Sequence, residues 1–493
     1  MNSRRLQRAA LALLAFWAIA SPAAASDGPE PPAYASMLRR KIILDGLGEQ
    51  RFQIEDRMKH YGVPGVSVAV VRNCEVVDAR GFGRANPWGR AVGPNTVFQA
   101  GSVSKVVATV GALKLVEDGT LTLDADVSRY LHTWTLPRPA PYSKADVTLR
   151  HLLSHSAGLS VAGFKGYPVG SALPDLVQIL DGVAPANTRP VRLEAVPGSA
   201  WSYSGGGFVL TQLLMERASG SVFKHFIRQR VLRPAGMMRS TYDAPDGGRY
   251  AANAAAGTLA DGASIPGGWK LYPEHAAAGL WATPTDLSRL AIELVRSLRG
   301  TAGSLLKKDT AREMLRRQSG DWGLGVELHR EGHPRMFSHT GAPIGYRTLW
   351  LMQPDTCDGA TIMTNADEGM QLAYEIARAL ADHYAWPDPM ESEHAPYTAT
   401  TEAITQSFAG TYQLREFPTE RFSIDRRPDG TLTWGRVGRG RVALEASGQQ
   451  QLLSPDSGMR VVALERHPHG QTVTAVELRV GTRVNVADRV RQP

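Results

Sequence analysis

The chain has 493 residues, 21% of them charged and 43% hydrophobic, with a formal net charge of +8. That length favours two domains over one, and the composition excludes collagen-like, prion-like and acidic low-complexity classes. Charges of both signs are mixed along the chain, and no basic stripe with interleaved aromatics points to a nucleic-acid partner.

In chain order, Arg4, Arg5 and Arg8 precede a short apolar run from Ala9 to Ala20, and Ala23-Ala24-Ala25 follows. This is the pattern of a cleaved secretory signal over residues 1–25. The run is shorter than the ~20 residues needed to cross a bilayer. Cleavage removes three arginines and no acids, taking +8 to about +5. No other segment reads as membrane-spanning, so the mature chain is expected to be exported, to periplasm or medium, without a membrane span.

A Pro-rich stretch (Pro29, Pro31, Pro32) leads into a broken helical segment, about Ser36 to Tyr61. Val63 to Gly83 reads as a hairpin: Val66, Val68 and Val70 alternate, and Arg72-Asn73 marks the turn. A helix is predicted from Ser102 to about Asp118, apolar on several faces and therefore buried. The region from about 120 to 300 is predicted helical with Gly/Pro-rich loops. It contains a helix over Phe208–Ala218 and a capped helix start at Thr283-Pro284-Thr285-Asp286. Strands follow at Arg335–His339, Gly345–Met352 and Ala360–Thr364, and a helix at Met370–Tyr384. Strands at both ends with helices between them imply one sheet carrying an inserted helical lobe. This first domain is expected over 26–390, with a linker over 391–396. Residues 397–493 carry short runs separated by turn signals: Thr411–Leu414, Phe422–Asp425, Leu432–Trp434, Val442–Leu444, Arg460–Leu464 and Val473–Val480. They predict a small antiparallel barrel or sandwich.

Ser102-Val103-Ser104-Lys105 places a hydroxyl and an ammonium three residues apart, on one helical face. A hydroxyl so partnered can become a nucleophile for acyl transfer. The pattern alone is weak, because Ser221–Lys224 and Ser304–Lys307 also fit it. Two further motifs select the first. Tyr203-Ser204-Gly205 lies 101 residues after Ser102, and His339-Thr340-Gly341 lies 136 residues further on.

In that order the three motifs resemble the penicilloyl-serine group: class C-like serine β-lactamases, D-alanyl-D-alanine carboxypeptidases and related esterases. Phe98-Gln99-Ala100-Gly101, Leu152 to Leu159 and Ala278 to Thr283 extend the resemblance, which covers about residues 40 to 386. It implies an α+β fold: an antiparallel five-stranded sheet flanked by terminal helices, with a helical lobe and, here, the added β domain. It also implies Ser102 as nucleophile, with Lys105 and Tyr203 managing protons. The oxyanion hole would be the N–H groups of Ser102 and Ala342. His339, Thr340, Gly341 and Gly205 would line the substrate site, and Arg347 is a candidate for a substrate carboxylate. No cofactor is implied.

Two departures stand out. His339 replaces a lysine typical of true β-lactamases, exchanging a permanent charge for a titratable one. Gly205 replaces an asparagine that holds the substrate's amide side chain in relatives. Both weaken β-lactam recognition and leave acyl transfer intact. The expected function is therefore an exported serine hydrolase of small esters or D-amino-acid-containing amides and peptides. A true class C-like β-lactamase is the alternative, and a catalytically silent binder of cell-wall fragments or of a protein is the alternative of another class. No Gly-x-Ser-x-Gly elbow supports an α/β-hydrolase. His151, His155, His467 and His469 form no His-Glu-x-x-His or Cys/His cluster, so they are read as structural and no metal site is expected. Finally, in the sheet the resemblance implies, the first and last strands are antiparallel neighbours. Cys74 at the first hairpin's turn and Cys357 at the entry to the last strand are then expected to form a disulfide, permitted by export.

Overall fold

The computed structural model describes residues 31–490, except Glu49, 246–250, 330–335, 387–391, 437–440, 468–470 and Thr482. The signal segment, the start of the linker and His469 lie outside the described residues.

The central sheet is antiparallel throughout, in the order Glu75–Gly83, Gly65–Arg72, Asp358–Thr364, Arg347–Gln353, Phe337–Gly341, Glu327–Leu328. Five strands match the expectation; the sixth, at the edge, has only two residues. The first hairpin lies beside the last strand, with Val71 paired to Gly359. Cys74 and Cys357 therefore meet at adjoining turns and form a disulfide, Cα–Cα 5.0 Å apart. The Cys74 N–H also donates to the Cys357 carbonyl at 3.0 Å.

Central strands are buried on both faces, so they read as near-continuous apolar runs rather than alternating ones. On one face Ile54–Tyr61 and Gly369–Tyr384 cover Val66, Val68, Val70, Leu349 and Ile362. On the other lies Pro284–Arg299, whose Thr283 cap accepts from the Asp286 N–H and whose first residue is proline. The Trp350 indole N–H ties the sheet to that helix through the Leu287 carbonyl, 2.8 Å away. Beyond it sits the lobe. Its central helix, Ser104–Glu117, is buried on nearly every face, and it packs against Gly205–Ser219 and His275–Ala278.

The C-terminal strands close into an eight-stranded barrel, Gly410–Leu414 pairing with Arg483–Arg489 to complete the ring. Tyr412, Phe422, Ile424, Leu444, Leu452 and Val476 fill its interior, together with Phe408 from the short helix Glu402–Phe408. Two of its strands were not predicted. Gln451–Leu453 has three residues, and Arg483–Arg489 carries charges at three of its seven positions.

One predicted helical segment is a strand. Ile42–Asp45 pairs in parallel with Glu393–Pro396, inside the segment read as a linker. Its partner lies some 350 positions along the chain, so no local pattern announces it. This ribbon joins the sheet domain to the barrel, with Ile42, Leu44, Ala395 and Leu453 in one apolar cluster. Beside it Asp456 of the barrel accepts from Arg57 (2.7 Å) and meets His60 (2.8 Å), while Arg57 also bonds Glu375 of the terminal helix (2.7 Å).

Burial raises the Asp456 carboxyl's affinity for a proton, but His60, Arg57 and Arg40 outweigh burial and hold it at about 2. A carboxylate held below its ordinary value stabilises the fold above about pH 4 and loses that contribution as pH falls towards 2. Asp456→Ala removes one of the two carboxylates on the nearly buried Arg57 cation, which keeps Glu375, so it should lower the unfolding free energy by about 1.5–3 kcal/mol and flatten the acid limb of the stability curve. Urea titrations at pH 7 and pH 3 check both; a variant equal to wild type at pH 7 would mean the cluster does not hold the barrel.

Candidate active site

Ser102 does not begin the long helix. It sits in a 3-10 turn, Gly101–Val103, that precedes Ser104–Glu117. The turn is pinned from below: the Ser104 hydroxyl donates to the Gly101 carbonyl (2.6 Å) and accepts from the Leu280 N–H (3.0 Å). Ser102 is thus partly exposed, while Lys105, one helical step along, is 2% exposed. The Lys105 ammonium donates to the Ser102 Oγ at 3.1 Å and to the Ala277 carbonyl at 2.8 Å. Among the described residues no carboxylate pairs with it.

Tyr203 arrives from the lobe. Ser204 caps the helix Gly205–Ser219, accepting from the Gly207 N–H, and its hydroxyl donates to the Ser160 carbonyl. The residue before this cap leans over the lysine, with Lys105 Nζ 5.0 Å from the Tyr203 ring centroid. Among the described residues the Tyr203 hydroxyl makes no hydrogen bond, so its contact with the lysine is through the ring.

The third motif ends a sheet strand, Phe337–Gly341, and the close approach of two backbones sets its position. A Cβ on Gly341 would lie 2.0 Å from the Ala100 carbonyl oxygen, and one on Gly101 would lie 3.1 Å from Ala342 N. Only glycines permit this contact, which brings the Ala342 N–H against the serine turn. The segment after Ala342 is anchored in turn. Ile344 N–H donates to the Tyr272 hydroxyl, Gly345 N–H to Asp367, and Tyr346 OH to the Ala255 carbonyl.

Neighbouring side chains on the strand face opposite ways. His339 points to the lysine side, while Thr340, opposite Leu349, lines a cavity of about 290 Å³ on the other face with Met336 and Leu351. His339 is buried, and its Nδ1 donates to the Thr340 carbonyl at 2.7 Å. Burial, and then the Lys105 charge, push the imidazole down to about 3. The expected titratable charge is thus absent near neutral pH. Arg347 binds Asp367 (3.0 Å) and the carbonyls of Pro343 (3.1 Å) and Tyr346 (2.6 Å), so its guanidinium is committed to the Ala342–Tyr346 loop. At Gly205 a Cβ would meet Phe164 at 2.8 Å and the Ala162 carbonyl oxygen at 3.0 Å, so this chain has no room for an asparagine there.

The other Ser-x-x-Lys pairs do different work: Lys224 pairs with Asp243, and the Ser304 hydroxyl donates to the Leu306 carbonyl. His151 closes a capping box with Thr148. Among the described residues no His/Cys/Asp/Glu group could hold a metal. Sequence reasoning missed the aromatic wall around the site. Trp201 and Trp322 stack (5.8 Å), and Trp322 meets Tyr203, His155 and His339 edge-on. Trp201, two positions before Tyr203, could have been suspected; nothing local marks Trp322.

Because the His339 ring stays neutral between pH 5 and 8, His339→Gln should leave the shape of the kcat/KM pH profile unchanged there. A displacement of either limb by one pH unit would show that the ring titrates. The depressed value also makes this histidine stabilising above about pH 6.5, a contribution lost as pH falls towards 3.

Comparison with known proteins places these features in context. Residues 53–385 match the family model described as Beta-lactamase. Esterase EstB of Burkholderia gladioli is 28% identical over 300 residues, covering 53% of this chain and 74% of that protein. Penicillin-binding protein 4* of Bacillus subtilis (strain 168) is 25% identical over 398 residues, covering 75% and 81%. The solved octameric penicillin-binding protein homologue from Pyrococcus abyssi covers 88% of this chain and 98% of its own, with a TM-score of 0.57 and 22% identity. That last likeness is one of fold, and it reaches into the barrel.

Proposed function

The chain belongs to the beta-lactamase family and is a serine hydrolase, and on that premise we propose that Ser102, Lys105 and Tyr203 carry its acyl transfer. The supporting observation is the 3.1 Å contact between the Lys105 ammonium and the Ser102 Oγ inside a buried site. In the reactive form Lys105 is the free amine: Ser102 Oγ attacks the substrate carbonyl carbon while its proton passes to the Lys105 Nζ, and the Tyr203 phenol relays a proton to the leaving group. The oxyanion is received by the Ser102 and Ala342 N–H groups, each such donor contributing about 3 kcal/mol to the transition state. Collapse breaks the bond to the leaving alcohol or amine, which takes up the proton. Water then attacks the acyl-serine by the same route in reverse. Lys105 and Tyr203 are met here in the resting enzyme, where catalytic contacts are commonly looser than in the substrate complex.

The substrate is a small ester, or an amide of a D-amino acid, without a carboxylate beside the scissile bond. His339 is neutral and Arg347 is engaged, so neither predicted partner supplies a counter-charge. Phe164 leaves no room at Gly205 for the asparagine that holds a substrate amide in relatives. A lost charge-assisted hydrogen bond costs about 1.5–3 kcal/mol, roughly 10–100-fold in kcat/KM. The likeness to an esterase agrees with this reading. Export is inferred from the Arg4–Ala25 leader pattern and from the Cys74–Cys357 disulfide, a bond that persists in oxidising compartments. No helix among the described residues is long and apolar enough to cross a membrane.

A fluorophosphonate should add one mass adduct to the wild-type protein and none to Ser102→Ala, whose ester turnover should fall by at least ~10⁴-fold. p-Nitrophenyl butyrate should be hydrolysed with at least ~10-fold higher kcat/KM than nitrocefin. Absence of any adduct on the wild type would favour a silent binding protein, and faster nitrocefin turnover a true β-lactamase.

A further inference from the structure

His155 lies in the turn after the short helix Leu149–Leu153, buried, with φ +57°. A bulky non-glycine residue in the left-handed region is uncommon and costs about 1 kcal/mol or more. Its surroundings give that conformation a use. The Ser202 N–H donates to the His155 carbonyl at 2.7 Å, and the Ser204 N–H donates to the His155 Nδ1 at 3.1 Å. The single residue between those two donors is Tyr203. The imidazole also lies against the Tyr203 ring, centroids 4.2 Å apart and planes 33° from parallel. One residue therefore grips Tyr203 by the N–H of the residue before it, by the N–H of the residue after it and by its face.

We propose that His155 is a positioning residue for Tyr203, holding the phenol over the Lys105–Ser102 pair through this three-point clamp. The inference rests on the reading of Tyr203 given above. Two further features fit it. Nδ1 must be an acceptor to receive the Ser204 N–H, so the ring must be neutral. Burial, and then the Lys105 charge, hold it well below the ordinary histidine range. The groups facing it are Lys105, His339, Tyr203 and the rings of Trp201, Phe208 and Trp322, and among these no carboxylate favours the protonated form. The left-handed φ is also what lets carbonyl and side chain of one residue reach N–H groups two positions apart.

A double-mutant cycle tests the clamp. His155→Gly relieves the left-handed conformation but removes ring and acceptor. His155→Asn tolerates that conformation and keeps a short side-chain acceptor. With p-nitrophenyl butyrate, His155→Gly is expected to lower kcat by roughly 30–300-fold with KM within threefold, and His155→Asn to recover at least about a tenth of wild-type kcat. In a Tyr203→Phe background the same His155 substitutions should change kcat by less than about threefold, because the group they position is gone. Thermal melts identify any variant that does not fold; if His155→Gly fails, the His155→Asn cycle alone decides. Equal losses in both backgrounds, or a His155→Gly enzyme within threefold of wild type, overturn the positioning role. A fully active Tyr203→Phe enzyme overturns the role of Tyr203 itself, and the clamp with it.

Discussion

Lys105 carries an ammonium into a site where its neighbours are a hydroxyl, a backbone carbonyl and the faces of Tyr203 and Phe208. A buried charge without an opposite partner is costly unless dipoles and hydrogen bonds surround it. Here two of the three N–H donors are spent on Ser102 and Ala277, and aromatic faces add cation–π attraction. That concentration of positive potential reaches further than the serine. After burial, it helps to keep His339 and His155 neutral, and His155 accepts a hydrogen bond at Nδ1 that only a neutral imidazole can take. Burial first and this side chain second thus set the charge state of the two imidazoles.

Three separate parts of the fold must meet for this to happen. The serine turn belongs to the lobe's central helix, Tyr203 to the cap of a second helix, and Ala342 to the end of a sheet strand. The contacts that join them are backbone to backbone. Gly341 approaches Ala100, and the loop beyond is tied by Asp367, Tyr272 and Arg347. Arg347 in this light supports the loop that presents the Ala342 N–H. The barrel stands apart from this chemistry. It grips the outer helices through Arg57, Glu375 and Asp456 and through the parallel ribbon of Ile42–Asp45 with Glu393–Pro396.

Much of the fold is legible locally. The hairpin, the capped helix at Thr283, the strands around Gly341 and most barrel strands follow from alternation, periodicity and turn residues, and the structure places them within a few positions. The failures share one cause. Ile42–Asp45 reads as part of a broken helix because a strand of four residues acquires its identity from Glu393–Pro396, far along the chain. Arg483–Arg489 escapes because its partners on both sides, not its own composition, complete the barrel ring.

The chain alone determined the groups on offer: the serine and its lysine, the tyrosine and the glycine-ended strand, in an order that local coincidence does not produce, and two cysteines at turns that a shared sheet would join. Only the tertiary structure decided how those groups are charged and aimed. Whether His339 titrates, whether Arg347 is free, whether Gly205 leaves room for a side chain and what His155 holds all depend on burial and on neighbours distant in sequence. Desolvation and close packing are properties of the assembled interior, and no pattern along the chain encodes them one residue at a time.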